Sequence, residues 1–475
     1  MTKKIKYESA LITGHFNILH PGHIRLFKFA KSIAKKLSVG VESNKFNKDS
    51  IFIDQKERLD SLKHLELVDH SFIFTSTIEN AIKKVKPDVI IKGQEHSNKV
   101  NEEEKFIANH KFDLIFCSGE STFSSSKIIR NELIKKFIEY PSAFMHRHKI
   151  NKEKIISTLK KFKNINLIVI GDLIIDEYIN CEPLGMSQED PTIVVSPTNA
   201  TKYIGGAGIV ALHSLAMGAN VKLISCVGND EGKDYIFNQL KKYKLQHRIY
   251  IDRSRKTTIK QRFKSNGKTL LRVSHLHNHP INESLERRII NYIEKEKSKT
   301  NLIIFSDFNY GVLSNSLVNK ITSFSKKNNI ILAADSQSSS QIGDISRFKD
   351  MDIISSTERE ARIATKNNED GIVVMIEKLR KISNANNIIL KLGSDGLIIQ
   401  NYVNNFLYTD QIEALNSFPV DVSGAGDSFL ASSSIAYTIT KNINLASLIG
   451  SITAAIQVSQ TGNIPITQET LIKNL

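Results

Sequence analysis

Asp421-Val-Ser-Gly-Ala-Gly-Asp427 ends in an acid and runs straight into Phe429, Leu430, Ile435 and Ala436, apolar residues at helical spacing. Gly424, Ala425 and Gly426 therefore fall where a loop enters a helix. Small residues there let bare backbone N–H groups converge at the positive end of the helix dipole, which suits the oxygens of a phosphoryl group. Asp427 adds a carboxylate beside that anion site, where it could take a proton from an attacking hydroxyl. A glycine turn capped by an acid would read the same way in isolation, because short glycine motifs are unspecific.

The surroundings favour the anion site. Apolar runs at 302–305, 330–334 and 388–392 enter Ser306-Asp307, Asp335 and Gly393-Ser-Asp-Gly396 respectively. Upstream, 166–170 leads into Gly171-Asp-Leu-Ile-Ile-Asp176, Gly205-Gly-Ala-Gly208 opens a helix over 209–217, and 221–227 reads as a strand. Strands alternating with helices predict a doubly wound parallel sheet, whose ligands sit at the carboxyl ends of the strands. Any one of these acids alone reads as a loop-solvating carboxylate. The polar stretch 183–203, with isolated apolar residues, predicts short strands of a small β lid.

A second alternating pattern precedes the first. Residues 10–12 predict a strand, followed by Thr13-Gly-His-Phe-Asn-Ile-Leu-His20-Pro-Gly-His23 and a helix that Pro21 is placed to start. His20 and His23 would flank that helix N-terminus, where two imidazoles and free amides can clamp a phosphate whose charge rises during displacement. The spacing HxxH also occurs in metal pairs, but the zinc-protease form HExxH carries a glutamate that is missing here. Strands at 37–41, 71–74, 88–91 and 114–117 alternate with helices at 55–67 and 78–85. Lys92-Gly93 and Ser124-Ser-Ser-Lys-Ile-Ile-Arg130 follow strand ends, where hydroxyls can cap a helix and Arg130 can reach a phosphate. A charged helix face is the alternative for Arg130.

The chain has 475 residues, more than one hydrophobic core usually supports. The basic stretch 140–161, with Pro141 and no strand pattern, marks the boundary. The expected division is 1–140, a linker at 141–163, and 164–475. Hydrophobic residues make up 40% and charged residues 24%, as in an ordinary globular protein. A net charge of +16 would suit nucleic acid, acidic membranes or anionic small substrates. Frequent Lys-Lys and Asn-Asn pairs point instead to compositional bias, and no basic stripe is interleaved with aromatics, so nucleic acid is not an expected partner. Cys117, Cys181 and Cys226 lack CxxC or metal spacing, the N-terminus lacks a signal-peptide core, and no run approaches the ~20 apolar residues of a membrane span. The expectation is a cytoplasmic protein with no membrane association.

Over about the first 140 residues, Gly14-His-Phe-Asn-Ile-Leu-His-Pro-Gly-His23, Lys92-Gly93 and Ser124–Arg130 resemble the cytidylyltransferase-like nucleotidyltransferases, with patterns GxFDxxHxGH and ISSTxxIR in order. Asn17 stands where that family usually has Asp, and His15 where it has a small or apolar residue. Over 164–475, Gly171-Asp172, Asp176, Gly205-Gly206, the KxGxxG-like Lys391–Gly396 and DVSGAGD resemble the ribokinase-like (PfkB) sugar kinases. Within them, Gly-Asp-Leu-Ile-Ile-Asp-Glu-Tyr, Met186-Ser-Gln-Glu-Asp-Pro191 and Ser306-Asp-Phe look most like heptose-7-phosphate kinases, which occur fused to such a transferase, in the opposite order. Ile209 replaces an Asn that usually helps hold the sugar, which would put an apolar wall there unless a neighbour such as His213 supplies the contact. Thr357-Glu-Arg-Glu360 stands where NxxE is usual.

The resemblance implies a Rossmann-like nucleotidyltransferase domain followed by a ribokinase-like α/β domain. It implies phosphorylation of a sugar phosphate, heptose 7-phosphate first, at its anomeric hydroxyl, then nucleotidyl transfer with loss of pyrophosphate. Asp427, His20 and His23 would be catalytic. Gly424, Ala425, Gly426, Lys391, Gly393, Gly396, Gly14, Phe16, Lys92, Gly93, Ser125, Ser126 and Arg130 would bind nucleotide or phosphate. Asp172, Asp176, Gly205 and Gly206 would bind the sugar, and Glu360 would hold Mg2+ through water. ATP is the expected nucleotide, with a CTP-dependent sugar or polyol activator as the alternative, and a homodimer paired through the lid strands is the expected assembly. The altered Asn17, Ile209 and Thr357 raise one further alternative, that one half serves only as a binding module.

Overall fold

The computed structural model describes residues 6–17, 19, 21–45, 53–75, 77–93, 106, 112–117, 138–265, 268–338, 340–403 and 406–475. It divides into two compact units, Met1–Lys136 and Phe137–Leu475.

In the first unit, β1 (Tyr7–Gly14), β2 (Ala34–Glu42), β3 (His70–Phe74), β4 (Val89–Gly93) and β5 (Asp113–Cys117) form a parallel sheet in the order β3-β2-β1-β4-β5. Its strands are apolar on both faces. Ala10 and Ile12 pack into one core while Leu11 packs into another on the opposite face. Such two-sided burial is what helices on both sides of a parallel sheet demand. The order reverses at β1, so the loop leaving Gly14 opens at the switch point, where α/β sheets bind ligands.

The second unit is built on a sheet of nine strands. In chain order its strands, with those of the lid, are β6 (Asn166–Gly171), β7 (Leu173–Met186), β8 (Ile193–Gly206), β9 (Asn220–Val227), β10 (Gln246–Ile251), β11 (Thr258–Ser265), β12 (Lys268–His275), β13 (Leu302–Asp307), β14 (Ile331–Ser336), β15 (Ile353–Thr357), β16 (Asn387–Lys391), β17 (Leu397–Val403) and β18 (Phe406–Ile412). The large sheet runs β10-β9-β6-β13-β14-β15-β16-β17-β18, parallel except for the antiparallel pairings of β17 with its neighbours. Alternation again serves two cores: Leu167, Val169, Leu302 and Ile304 enter one, and Ile168, Ile170, Ile303 and Phe305 the other.

The lid is a four-stranded sheet, β12-β11-β7-β8. The short strands expected over 183–203 are two antiparallel strands of 14 residues each, beginning inside the Gly171–Asp176 motif. Polar composition hid them, because much of each strand is solvent-exposed and lacks an apolar face. In the lid register Lys260 lies opposite Asp176 and Arg262 opposite Tyr178, so these side chains share one face.

The expected linker 141–163 is structured. It forms helices Ser142–Arg147 and Lys152–Lys160 and a short 3-10 turn, and it buries Phe144, Ile155, Leu159 and Phe162 in the core of the second unit. Asn151 caps the second helix by accepting from the Lys154 N–H at 2.9 Å. Asp410 receives Arg147 at 2.7 Å and His148 Nε2 at 2.6 Å. The basic, proline-containing composition concealed an amphipathic packing segment. Phe162→Ala should therefore destabilise the second unit by about 3–5 kcal/mol, read as a lowered denaturant midpoint.

Candidate functional site

Gly424 adopts φ +78° as the residue capping the helix Ala425–Thr440, and a Cβ there would lie 1.8 Å from Asn463 Oδ1. A glycine is required on both counts. Gly424, Ala425 and Gly426, at the N-terminus of a helix 16 residues long, line a cavity of about 790 Å3, and the Ala425 N–H donates to Val422 O at 3.4 Å. Asp427 lies in the first turn of that helix, its side chain in the cavity wall and only 7% exposed. Gln337 Nε2 donates to Asp427 Oδ1 at 2.9 Å. Burial, reinforced by Asp335 and opposed by Lys391, pushes the Asp427 carboxyl up to about 7.

Lys391, at the end of β16, pairs with Asp335 Oδ2 at 2.6 Å. Its ammonium lies 3.4 Å from where a Cβ on Gly426 would be, so the cation sits beside the glycine turn. Burial works against its charge, but Asp335 and Glu360 outweigh burial and hold it above its ordinary range. Burial likewise pushes Asp335 up to about 6, and its Oδ1 has no hydrogen-bond partner. Gly393 and Gly396 line the same cavity, as do the apolar Leu397, Leu415, Val422 and Ala454.

Glu360 is 6% exposed and also lines the cavity. Its oxygens accept from the Ser338 N–H at 3.0 Å and the Thr357 N–H at 2.8 Å, and Thr357 Oγ1 accepts from the Glu360 N–H at 3.4 Å. This is a capping box at the start of helix Glu358–Thr365. Thr caps a helix much as Asn does, so replacing the usual Asn by Thr357 leaves the local structure intact. With one backbone donor on each oxygen, the Glu360 carboxylate keeps acceptor capacity that would suit a cation met through water. Among the described residues no group of three or more His, Cys, Asp and Glu is arranged to hold a metal directly.

The expected sugar-binding residues separate in the fold. Asp176 and Gly206 line the cavity, and Asp176 pairs with Arg262. Gly205 sits behind them: a Cβ there would fall 2.2 Å from Asp176 Oδ2, so its role is to leave room for that carboxylate. Asp172 is turned away. It is 1% exposed and accepts from the backbone N–H groups of Phe308, Tyr310 and Val312 at 2.9, 3.2 and 3.2 Å. Burial, with Asp307 nearby, pushes it up to about 6. Asp172 thus shapes the turn that presents Phe308 to the cavity.

Ile209 is not a wall of the site either. It is fully buried in the core, and His213 is equally buried, its Nδ1 accepting from the Ile466 N–H at 3.2 Å and its ring pushed down to about 3 by burial. Helical phase decides this, since both side chains point from the helix Ala207–Ala216 into the core rather than toward the lid.

In the first unit, Gly14 ends β1, and Lys92 and Gly93 end the adjacent strand β4. Phe16, at φ +48°, is buried, with its ring edge-on to His23 at 5.1 Å between centroids. Its position makes it a support for His23, whose helix is Pro21–Ile33. His15 Nδ1 approaches Glu42 Oε2 at 2.9 Å. Arg58, fully buried, donates to His15 O at 2.5 Å, Ile53 O at 2.8 Å and Asn44 Oδ1 at 2.9 Å, stapling the loop in place. His20, Ser125, Ser126 and Arg130 lie outside the described residues.

Sequence reading missed Gln337, Lys260, Arg262 and Arg58. The basic residues at 260, 262 and 264 do carry a signal, alternation at strand period in a segment left unassigned. Gln337 and Arg58 carry none, because their partners lie 90 and 43 residues away.

The pfkB family carbohydrate kinase model matches residues 164–470, and the chain belongs to that family. A cytidylyltransferase-like family model matches residues 11–132. The chain is similar to the protein named "Bifunctional protein HldE" in Sulfurimonas denitrificans, 28% identical over 63% of this chain and 62% of that protein. The protein of the same name in Aliarcobacter butzleri is 28% identical over 64% of this chain and 63% of that protein. The chain thus spans less than two thirds of the length of these curated relatives. Among solved structures, ribokinase from Giardia lamblia aligns with TM-score 0.53 at 17% identity, covering 65% of this chain and 98% of that one. Arabidopsis thaliana ribokinase, complexed with ribose and ATP, aligns with TM-score 0.52 at 16% identity over 65% of this chain and 98% of that one. These likenesses establish the ribokinase-like fold.

Because Ile209 is core, Ile209→Asn should cost about 1–3 kcal/mol by burying an amide without partners. A thermal melt should show the loss, and no sugar should be turned over faster.

Proposed function

We propose that the chain is a two-step sugar activator: an ATP-dependent kinase acting at the anomeric hydroxyl of a sugar phosphate, and a nucleotidyltransferase that converts the product to a nucleotide sugar. Heptose 7-phosphate is the proposed substrate, with an ADP-heptose-like product. The observation that carries the kinase step is Asp427, a buried carboxylate at the mouth of a helix N-terminus, with the half-buried Lys391 ammonium beside the same glycine turn. Asp427 Oδ2 accepts the hydroxyl proton as the oxygen bonds to the γ-phosphorus. The bond from that phosphorus to the bridging oxygen breaks, and ADP leaves. The amides at Ala425 and Gly426, with Lys391, stabilise the charge on the transferring group.

The cavity has room for both reactants, and its apolar lining residues Leu397, Leu415, Val422 and Ala454 suit a nucleobase. Lys260 and Arg262, on the lid face turned toward the cavity, favour a substrate that already carries a phosphate. Magnesium would neutralise charge on the nucleotide phosphates, with Glu360 holding it through water. In the first unit, His20 and His23 are the proposed catalytic groups, and Gly14, Lys92, Gly93, Ser125, Ser126 and Arg130 are proposed to bind the nucleotide. The proposed assembly is a homodimer through the lid, whose strands leave Leu184, Met186 and Ile193 exposed at 64%, 62% and 59%.

Asp427→Asn should lower sugar phosphorylation about 10²–10⁴-fold while sparing pyrophosphate release from supplied sugar 1-phosphate. His23→Ala should do the reverse. Separate assays of ADP and pyrophosphate release check both, and loss of both activities in either variant would contradict the two-site reading. A base must be ionised to accept a proton, so kinase kcat/KM should fall as pH drops through about 7 and level off above it. A flat profile through neutrality would remove Asp427 from that role.

A further inference from the structure

We propose that Gln337 is the positioning residue for Asp427, turning the carboxylate so that Oδ1 is held and Oδ2 faces the acceptor hydroxyl. The proposal rests on the kinase reading above and adds a residue that the reading does not use. Gln337 lies just past the end of β14 and lines the cavity. Its Nε2 is 2.9 Å from Asp427 Oδ1, and among the described residues it makes the one hydrogen bond to that carboxylate. An ionised carboxylate only accepts, so the amide nitrogen must face it.

The Gln337 backbone is fixed from the neighbouring strand. Its N–H donates to Asp307 O at 2.8 Å, and its C=O accepts from Asn309 Nδ2 at 3.5 Å. The side chain therefore reaches Asp427 from a rigid strand end rather than from a loose loop. That rigidity matters because a displacement of about 1 Å at a reacting group costs about 10²-fold in rate.

Gln337 is also neutral. The charged groups facing Asp427 are Asp335 and Lys391 from the large sheet, and Asp176 and Lys260 from the lid. Their opposing signs and the burial leave a base that titrates near neutrality. A neutral donor orients this carboxylate and favours its ionised form modestly, whereas a cation in the same place would drain its basicity. Orientation and basicity are thus supplied by different residues.

The test compares Gln337→Met, which keeps the length without the amide, and Gln337→Lys, which restores a donor with charge. With D-glycero-D-manno-heptose 7-phosphate and ATP, Gln337→Met should lower kcat about 10- to 100-fold with little change in KM for ATP. Its acid limb should move to higher pH, and that of Gln337→Lys to lower pH. A purely structural role would not reverse sign between the two variants. Titration of the Asp427 carboxyl by carbon NMR gives the same two directions without turnover, so it stands even if this sugar is not a substrate. Wild-type inactivity on every sugar phosphate would defeat the kinase reading alone. An unmoved Asp427 titration in both folded variants, or wild-type kcat in Gln337→Met, would overturn the positioning role.

Discussion

Burial of an ionisable carboxylate at a helix N-terminus is the constraint on which the second unit depends. Asp427 loses hydration there, and burial favours its neutral form. The helix dipole and the Lys391 ammonium act the other way. Lys391 is half-buried, its side chain 16% exposed, and its charge is held by Asp335 2.6 Å away. The ends of β14, β16 and the helix Ala425–Thr440 must therefore meet, or each of these charges is stranded in a low-dielectric core.

The other acids near the site serve this arrangement from behind. Asp172 gathers three backbone N–H groups from 308–312, and Asp307 accepts from Ser336 Oγ at 2.7 Å and pairs with Arg347 at 2.8 Å. Glu360 ties the start of its helix to the Ser338 backbone. Buried carboxylates that accept backbone hydrogen bonds make strand ends rigid, which reactive groups held to within an ångström require. The acid cluster divides into Asp427, which lines the cavity, and a frame that holds it.

The two units use one device twice. In each, a glycine-containing loop enters a helix beside the carboxyl ends of the parallel strands, leaving central strand β1 in the first unit and following edge strand β18 in the second, and polar side chains gather in the crevice there. Their supports differ. The loop of the first unit is held by the buried Arg58 and the ring of Phe16, and the turn of the second by the fit of Gly424 against Asn463.

The glycine turn, the strand-end acids and the alternation of strands with helices were legible because each is local: period, small residues and helix starts act over a few neighbours. That made the α/β class, the two units and the positions of Asp427, Lys391 and Glu360 readable from the chain. The sequence could not show which acids face the cavity, since Asp172 and Asp176 are four residues apart and only the lid register turns one inward. Nor could it show that 141–163 belongs to a core, that Ile209 points away from the site, or that Gln337 meets Asp427 across 90 residues. Those outcomes depend on side-chain direction and long-range packing, which only the closed tertiary structure decides.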